Sequence, residues 1–206
     1  MALQSESLTG IILAGGQSSR MKRDKGLVPL LGKPLIEYVA GHLEQLCHKI
    51  LISSNSQVYD YLGYTVVPDE FPGFGPAAGI YSCLKRSADD YNLVVSCDTP
   101  FFDLPAMHCL LERRMEAMVV VPWYGGEKYE PLCAVYNRKM SQVIKDFMDL
   151  HIFKLPVIFR DIPMVKLSVM DNPGCFQEHA FVNINTIDEV KDLEKRIKEG
   201  LIHFTP

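Results

Sequence analysis

Short apolar or β-branched runs at Gly10 to Leu13, Lys49 to Ser53, Tyr64 to Val67, Asn92 to Ser96 and Ala117 to Val121 alternate with longer stretches of helical spacing. That alternation constrains the chain more than any other feature. Each run is bounded by turn residues and too short for a helix, so each reads as a strand buried on both faces. Between them, Leu35, Ile36, Val39, Leu43 and Leu46 repeat along one face of a segment from Leu35 to Cys47, behind Pro34 at a first helical position. A second helix is expected behind Gly75 and Pro76, and a third from Leu104 to Met115 with Asp103 placed to cap it. Strands alternating with helices predict the α/β class: a parallel sheet with helices on both faces and right-handed crossovers.

After Val121 the rhythm changes. Leu132 to Tyr136 reads as a strand and Lys139 to Leu150 as a helix, with further short strands at Leu155 to Phe159 and Met164 to Val169. Thr186 and Glu189 have capping-box spacing ahead of a charged helical segment from Glu189 to Glu199. No internal repeat or linker interrupts the 206 residues, which suits a single domain over 1–206. Its amino-terminal part would bind the ligand, and its carboxyl-terminal third would complete or lid the site.

Composition narrows the partners. With 21 Lys+Arg against 25 Asp+Glu the formal net charge is −4, so no global field gathers DNA or anionic lipid. An anionic ligand must then be held by a local group of cations. The amino end, MALQSESLTG, lacks a basic flank and a signal-length apolar stretch, and no run reaches the ~20 apolar residues of a membrane span. The six cysteines, Cys47, Cys83, Cys97, Cys109, Cys133 and Cys175, form no C-x-x-C pair, and they read as buried, reduced thiols ahead of a zinc site. Both observations point to a cytoplasmic protein.

The richest stretch follows the first strand: Leu13-Ala14-Gly15-Gly16-Gln17-Ser18-Ser19-Arg20-Met21-Lys22-Arg23-Asp24-Lys25-Gly26. Adjacent glycines let the backbone bend and approach a ligand closely, so several amide N–H groups can face one set of phosphate oxygens. From Arg20 to Lys25 four cations and one anion leave a local charge of +3, which favours a polyphosphate. Open parallel sheets also bind ligands beyond the carboxyl ends of their strands. A solvated surface turn is the plainer alternative. The chain contains neither G-x-x-x-x-G-K-[ST] nor a G-x-G-x-x-G fingerprint, so a nucleotide site here belongs to another class.

A second signal is Val94-Val95-Ser96-Cys97-Asp98-Thr99-Pro100, an apolar strand that ends in an acid at the same sheet edge. One strand-end carboxylate is enough to hold Mg²⁺ when the nucleotide and water supply its other oxygens, which makes Asp98 the metal candidate; a turn former or helix cap is the structural alternative. Asp69, beyond Val67 and Pro68, shares that ambiguity. Gly75-Pro76-Ala77-Ala78-Gly79 starts a helix with compact residues that bring bare backbone toward a base or toward the sheet. In Phe181-Val182-Asn183-Ile184-Asn185-Thr186 the alternation predicts a strand with Asn183 and Asn185 on one surface, offering donors and acceptors to a heterocycle. The histidines and the Ser18-Ser19 pair match no metal or nucleophile motif.

Together Leu13-Ala14-Gly15-Gly16, Arg20-Met21, Asp24-Lys25, Gly32-Lys33-Pro34-Leu35, Gly75 to Gly79, Cys97-Asp98-Thr99-Pro100 and Phe181 to Thr186 resemble the molybdenum cofactor guanylyltransferase family. The resemblance implies a Rossmann-like three-layer fold of the nucleotide-diphospho-sugar transferase type. It also implies Mg²⁺-dependent transfer of GMP from GTP to molybdenum-bound molybdopterin. On that resemblance Arg20, Lys25 and Asp98 are catalytic, and Leu13, Ala14, Gly15, Gly16 and Gly79 cradle the nucleotide. Ser53, Asn55 and Asp69 lie near the nucleoside, and Asn183 and Asn185 face the pterin-side substrate. GTP and molybdenum-molybdopterin are then the substrates and molybdoenzymes with their chaperones the recipients, with no nucleic acid and no membrane involved. Lys22 stands where the family commonly has Gly, Ser53 where relatives often carry an amide, and Lys154 in a segment where they often carry Arg. A cytidylyltransferase on the same pterin, another sugar-nucleotide pyrophosphorylase and a non-catalytic nucleotide-binding module are the competing readings.

Overall fold

The structure, a computed structural model, describes residues 7–15, 24–126, 128–202 and 204. In chain order it forms β1 (Leu8–Leu13), β2 (Pro29–Leu30), β3 (Lys33–Pro34), α1 (Leu35–Glu44), β4 (Lys49–Ser53), β5 (Thr65–Val67), α2 (Pro76–Arg86) and β6 (Tyr91–Ser96). These are followed by α3 (Leu104–Glu112), β7 (Val119–Gly125), β8 (Lys128–Tyr129), β9 (Cys133–Asn137), α4 (Met140–Asp149), α5 (Leu155–Ile158), β10 (Met164–Ser168) and α6 (Ile187–Lys198).

The main sheet has the order β10-β7-β9-β6-β1-β4-β5, with β8 paired to β7. Strand β1 is parallel to both β4 and β6, with Leu13 level with Ser53 on one side and Ser96 on the other. The strictly two-residue side-chain period of these strands splits their apolar residues between two layers. Ile12, Ile52, Leu93 and Val95 face α1 and α3, while Ile11, Leu13, Leu51 and Val94 face α2 and α4. This is the three-layer α/β arrangement, and both faces are closed to water. A third cluster, built from Leu30, Leu35, Tyr38, Phe101, Ile184 and Leu193, seats α6 and the β2–β3 ribbon beside the sheet.

Two local expectations are corrected. The run from Leu155 is a short helix followed by a 3₁₀ turn over Phe159–Asp161, not a strand. Its buried Leu155, Ile158 and Phe159 follow helical spacing, and Pro156 occupies the first turn, where its missing N–H costs nothing. The segment from Phe181 to Thr186 joins no sheet; its backbone is irregular and is pinned where Ile184 N–H donates to the Asp98 carbonyl at 3.1 Å. The sheet is mostly parallel as expected, with β9 running antiparallel between β6 and β7.

The cysteines also differ from expectation. Cys47, Cys83, Cys97 and Cys133 are free and buried, but Cys109 on α3 and Cys175 form a disulfide with Cα atoms 5.9 Å apart. A separation of 66 residues and the lack of any paired spacing hide this contact in the sequence. Among the described residues no helix is long and apolar enough to cross a membrane.

Candidate active site

The carboxyl ends of β1, β4, β5 and β6 meet at one edge, where a cavity of about 800 Å³ opens between Gly15, Ser53, Asp69, Gly79 and Ser96. Backbone bonds set its floor: Ala14 N–H donates to Ser53 O at 3.0 Å and Cys97 N–H to Leu13 O at 3.1 Å, so the chain leaving β1 is fixed against both neighbours. Gly75 opens α2 at φ 64° and ψ −153°, a conformation that essentially only glycine tolerates, and Pro76 begins the helix. That helix carries Gly79 against the cavity wall, where a Cβ would overlap the Ser53 hydroxyl and lie 3.4 Å from Asp69 Oδ1. Gly15 faces the same pair, with its Cβ position 3.9 Å from Asp69 Oδ2.

Ser53, Asn55 and Asp69 form one polar group. Ser53 Oγ donates to Asp69 Oδ1 at 3.2 Å, Asn55 Nδ2 donates to Asp69 Oδ2 at 3.4 Å, and Asp69 N–H donates back to Asn55 Oδ1 at 2.8 Å. Burial pushes the Asp69 carboxyl above its ordinary pKa, and the bonds from Ser53 and Asn55 oppose that shift.

A second group lies at the end of β6. Asp98 is nearly buried and accepts from Ser96 Oγ at 2.5 Å and from Lys25 Nζ at 3.1 Å. Lys25 Nζ also donates to Asn185 Oδ1, so one ammonium joins the strand-end carboxylate to the carboxyl-terminal loop. The Lys25 side chain keeps 34% of its exposure, against 11% for Asp98. Lys25 is aimed by its neighbours: Asp24 caps the 3₁₀ turn Lys25–Leu27 through Gly26 N–H and accepts from the buried Tyr59 hydroxyl, while Gly26 packs on the same ring.

The structure thus gathers the expected site residues in two neighbouring sets, Leu13, Ala14, Gly15, Ser53, Asn55, Asp69 and Gly79 in one, Lys25, Asp98 and Asn185 in the other. Asn183 is exposed beside the second set, where its carbonyl accepts from Asn185 Nδ2 at 3.3 Å. Gly16, Arg20 and Lys22 lie outside the described residues. Sequence reasoning missed Ser96, Asp24 and Tyr59 as positioning groups. Ser96 was within reach as the polar residue two before Asp98, whereas nothing in the spacing ties Tyr59 to Asp24.

Among the described residues no group of three or more His, Cys, Asp or Glu side chains gathers. Asp98 is nevertheless suited to Mg²⁺: it offers hard oxygen donors next to a cavity of nucleotide size, and a magnesium ion takes few protein ligands.

Residues 10–152 match the family model described as MobA-like NTP transferase domain. A probable molybdenum cofactor guanylyltransferase of Flavobacterium johnsoniae is 32% identical over 188 residues, covering 91% of this chain and 97% of that protein. The molybdenum cofactor guanylyltransferase of Vibrio atlanticus is 33% identical over 185 residues, with 87% and 92% covered. Among solved structures, molybdopterin-guanine dinucleotide biosynthesis protein A from Archaeoglobus fulgidus superposes with a TM-score of 0.79 at 23% identity, over 93% of this chain and 99% of that one. The fold is that of the nucleotide-diphospho-sugar transferases, and the chain belongs to the family of MobA-like NTP transferase domains.

Proposed function

We propose that the protein transfers GMP from GTP to the terminal phosphate of molybdenum-bound molybdopterin, forming the guanine dinucleotide and releasing pyrophosphate. The observation that carries this reading is the Lys25–Asp98–Asn185 group at the end of β6, beside a cavity large enough for a nucleotide. A phosphate oxygen of the acceptor attacks the α-phosphorus of GTP, the bond to the β-phosphate breaks, and pyrophosphate leaves with the electron pair. The nucleophile is already ionised at neutral pH, so alignment and charge neutralisation supply the rate enhancement and no strong general base is needed.

The chain's residues divide this work. Ser53, Asn55, Asp69 and the bare backbone at Gly15 and Gly79 hold the nucleoside. Lys25 neutralises and orients phosphate oxygens through charge-assisted donation, assisted by Arg20 and Gly16. Asp98 holds Mg²⁺, which when bound supplies positive charge to the triphosphate. Asn183 and Asn185 face the acceptor, and Lys154 supplies a cation in the segment where relatives often have Arg. GTP as donor fits a cytoplasmic enzyme that hands its product to molybdoenzymes.

Pyrophosphate release measured with molybdenum-loaded molybdopterin and each of GTP, CTP, ATP and UTP tests the reading. Turnover with GTP and magnesium is expected. Preference for CTP would reassign the protein as a cytidylyltransferase, and binding of GTP without turnover would reduce it to a carrier.

A further inference from the structure

The sheet order divides the site. The nucleoside set sits over β1, β4 and β5, and Asp98 ends β6, so the sheet edge left for the acceptor runs over β9 and β7. That half carries Tyr124, Glu130 and Phe181. Tyr124 is 40% exposed, and its ring stands edge-on to Phe181 at 6.0 Å between centroids. Phe181 packs in turn on Phe102 and Phe176 and belongs to the loop that Ile184 ties to Asp98.

Glu130 is the unexplained residue of this half. Its backbone is clamped at both ends, with its N–H donating to Pro122 O and its carbonyl accepting from Cys133 N–H, each at 3.1 Å. Pro131 stiffens the resulting turn at the position that proline favours. The side chain is half-buried and has no hydrogen bond or ion pair among the described residues. Its N–H bond to Pro122 O seats it opposite Pro122, two residues before Tyr124 on β7, and its charge acts on the Tyr124 hydroxyl. Burial raises its pKa, with no compensating partner among the described residues. A rigidly held, partly desolvated carboxylate without a donor among those residues is a cost unless a ligand supplies its donors.

We propose that Glu130 is a specificity-determining residue for the acceptor, its carboxylate receiving the adjacent ring N–H and 2-amino donors of a pterin-type heterocycle that lies against Tyr124. Two parallel N–H···O bonds from an amidine-like edge match a carboxylate in geometry and charge. The assignment rests on the acceptor being the pterin of the proposed reaction.

Steady-state kinetics on the isosteric variant Glu130→Gln test it. In the variant, kcat/KM for molybdenum-loaded molybdopterin should fall by about 10- to 100-fold, the loss expected when a charge-assisted acceptor is replaced by an amide. GTP affinity measured without acceptor should stay within about twofold, which also reports that the variant is folded. A second readout is competitive inhibition by 6-hydroxymethylpterin against the matching 2,4-dioxopteridine, which lacks the 2-amino group. Wild type should prefer the pterin by at least about tenfold, and Glu130→Gln should lose that preference. Unchanged acceptor kinetics, or the same preference in both proteins, would overturn the role of Glu130. Failure of wild type to turn over GTP with this acceptor would instead sink the functional reading itself.

Discussion

Gly79→Ala is the most informative substitution on the nucleoside side. In a helix interior such a change ordinarily stabilises by up to about 1 kcal/mol, because alanine loses less backbone entropy. Here the new methyl overlaps Ser53 Oγ, lies 3.3 Å from Ser53 Cβ and approaches Asp69 Oδ1 at 3.4 Å. Ser53 is buried and must rotate, which breaks its 3.2 Å bond to Asp69. Overpacking costs about 1–3 kcal/mol and the lost hydrogen bond about 0.5–1.5 kcal/mol. Set against the propensity gain of about 1 kcal/mol, the net is a loss of about 0.5–3.5 kcal/mol. Gly41→Ala on α1 is the control, since its methyl meets nothing within 4 Å and it should stabilise by up to about 1 kcal/mol. Urea unfolding of the two variants, with equilibrium titration by a fluorescent GTP analogue, reads both effects. Gly79→Ala should be less stable than wild type and bind the analogue about tenfold more weakly, a change of about 1.4 kcal/mol. Stability and affinity equal to those of Gly41→Ala would refute the packing argument.

Other residues give independent tests. Lys25→Met should cost about 1–3 kcal/mol of stability, because it leaves the nearly buried Asp98 carboxylate without its cation, and lower kcat/KM for GTP roughly 10- to 150-fold; unchanged turnover in the folded variant would contradict a phosphate role. Burial raises the Glu130 carboxyl above its ordinary 4.5, so the folded state binds the proton more tightly and stability falls as pH rises through the raised value. Glu130→Gln should therefore gain stability at neutral pH, and the gain should shrink toward zero below 4.5; a gain independent of pH would show that desolvated charge is not its source. The Cys109–Cys175 disulfide closes a loop across 66 residues of separation, and Cys109→Ser should lower stability by about 2–4 kcal/mol under oxidising conditions. Identical unfolding of the two proteins with and without reductant would remove that contribution.

The features legible in the sequence are those set by local chemistry. Strands around Ile11, Ile52 and Val94 carry consecutive apolar residues because the sheet buries both their faces, and the Thr186–Glu189 capping box forms as its spacing indicates. Asp98 was recognisable because it sits just past a strand that must end at the ligand edge, and Lys25 through the Asp24-Lys25 motif of the family resemblance. What sequence concealed depends on contacts between distant residues. The place of β9 between β6 and β7 is a matter of topology, not composition. Leu155 to Phe159 has apolar residues compatible with either period, and only the shared burial of Leu155 and Ile158 settles on a helix. The alternation from Phe181 to Thr186 likewise reflects packing of Phe181 and Ile184 against the body of the protein, not a ladder. Tyr59, 35 residues from Asp24, left no trace at all.

If a nucleoside triphosphate is gripped where β1 and β6 end, a crystal structure with a non-hydrolysable GTP analogue and magnesium should show it there. The base and ribose should lie between Gly79 and Asp69, with phosphate oxygens on Lys25 and the metal on Asp98. Nucleotide bound elsewhere, or phosphates turned away from Lys25 and Asp98, would contradict it.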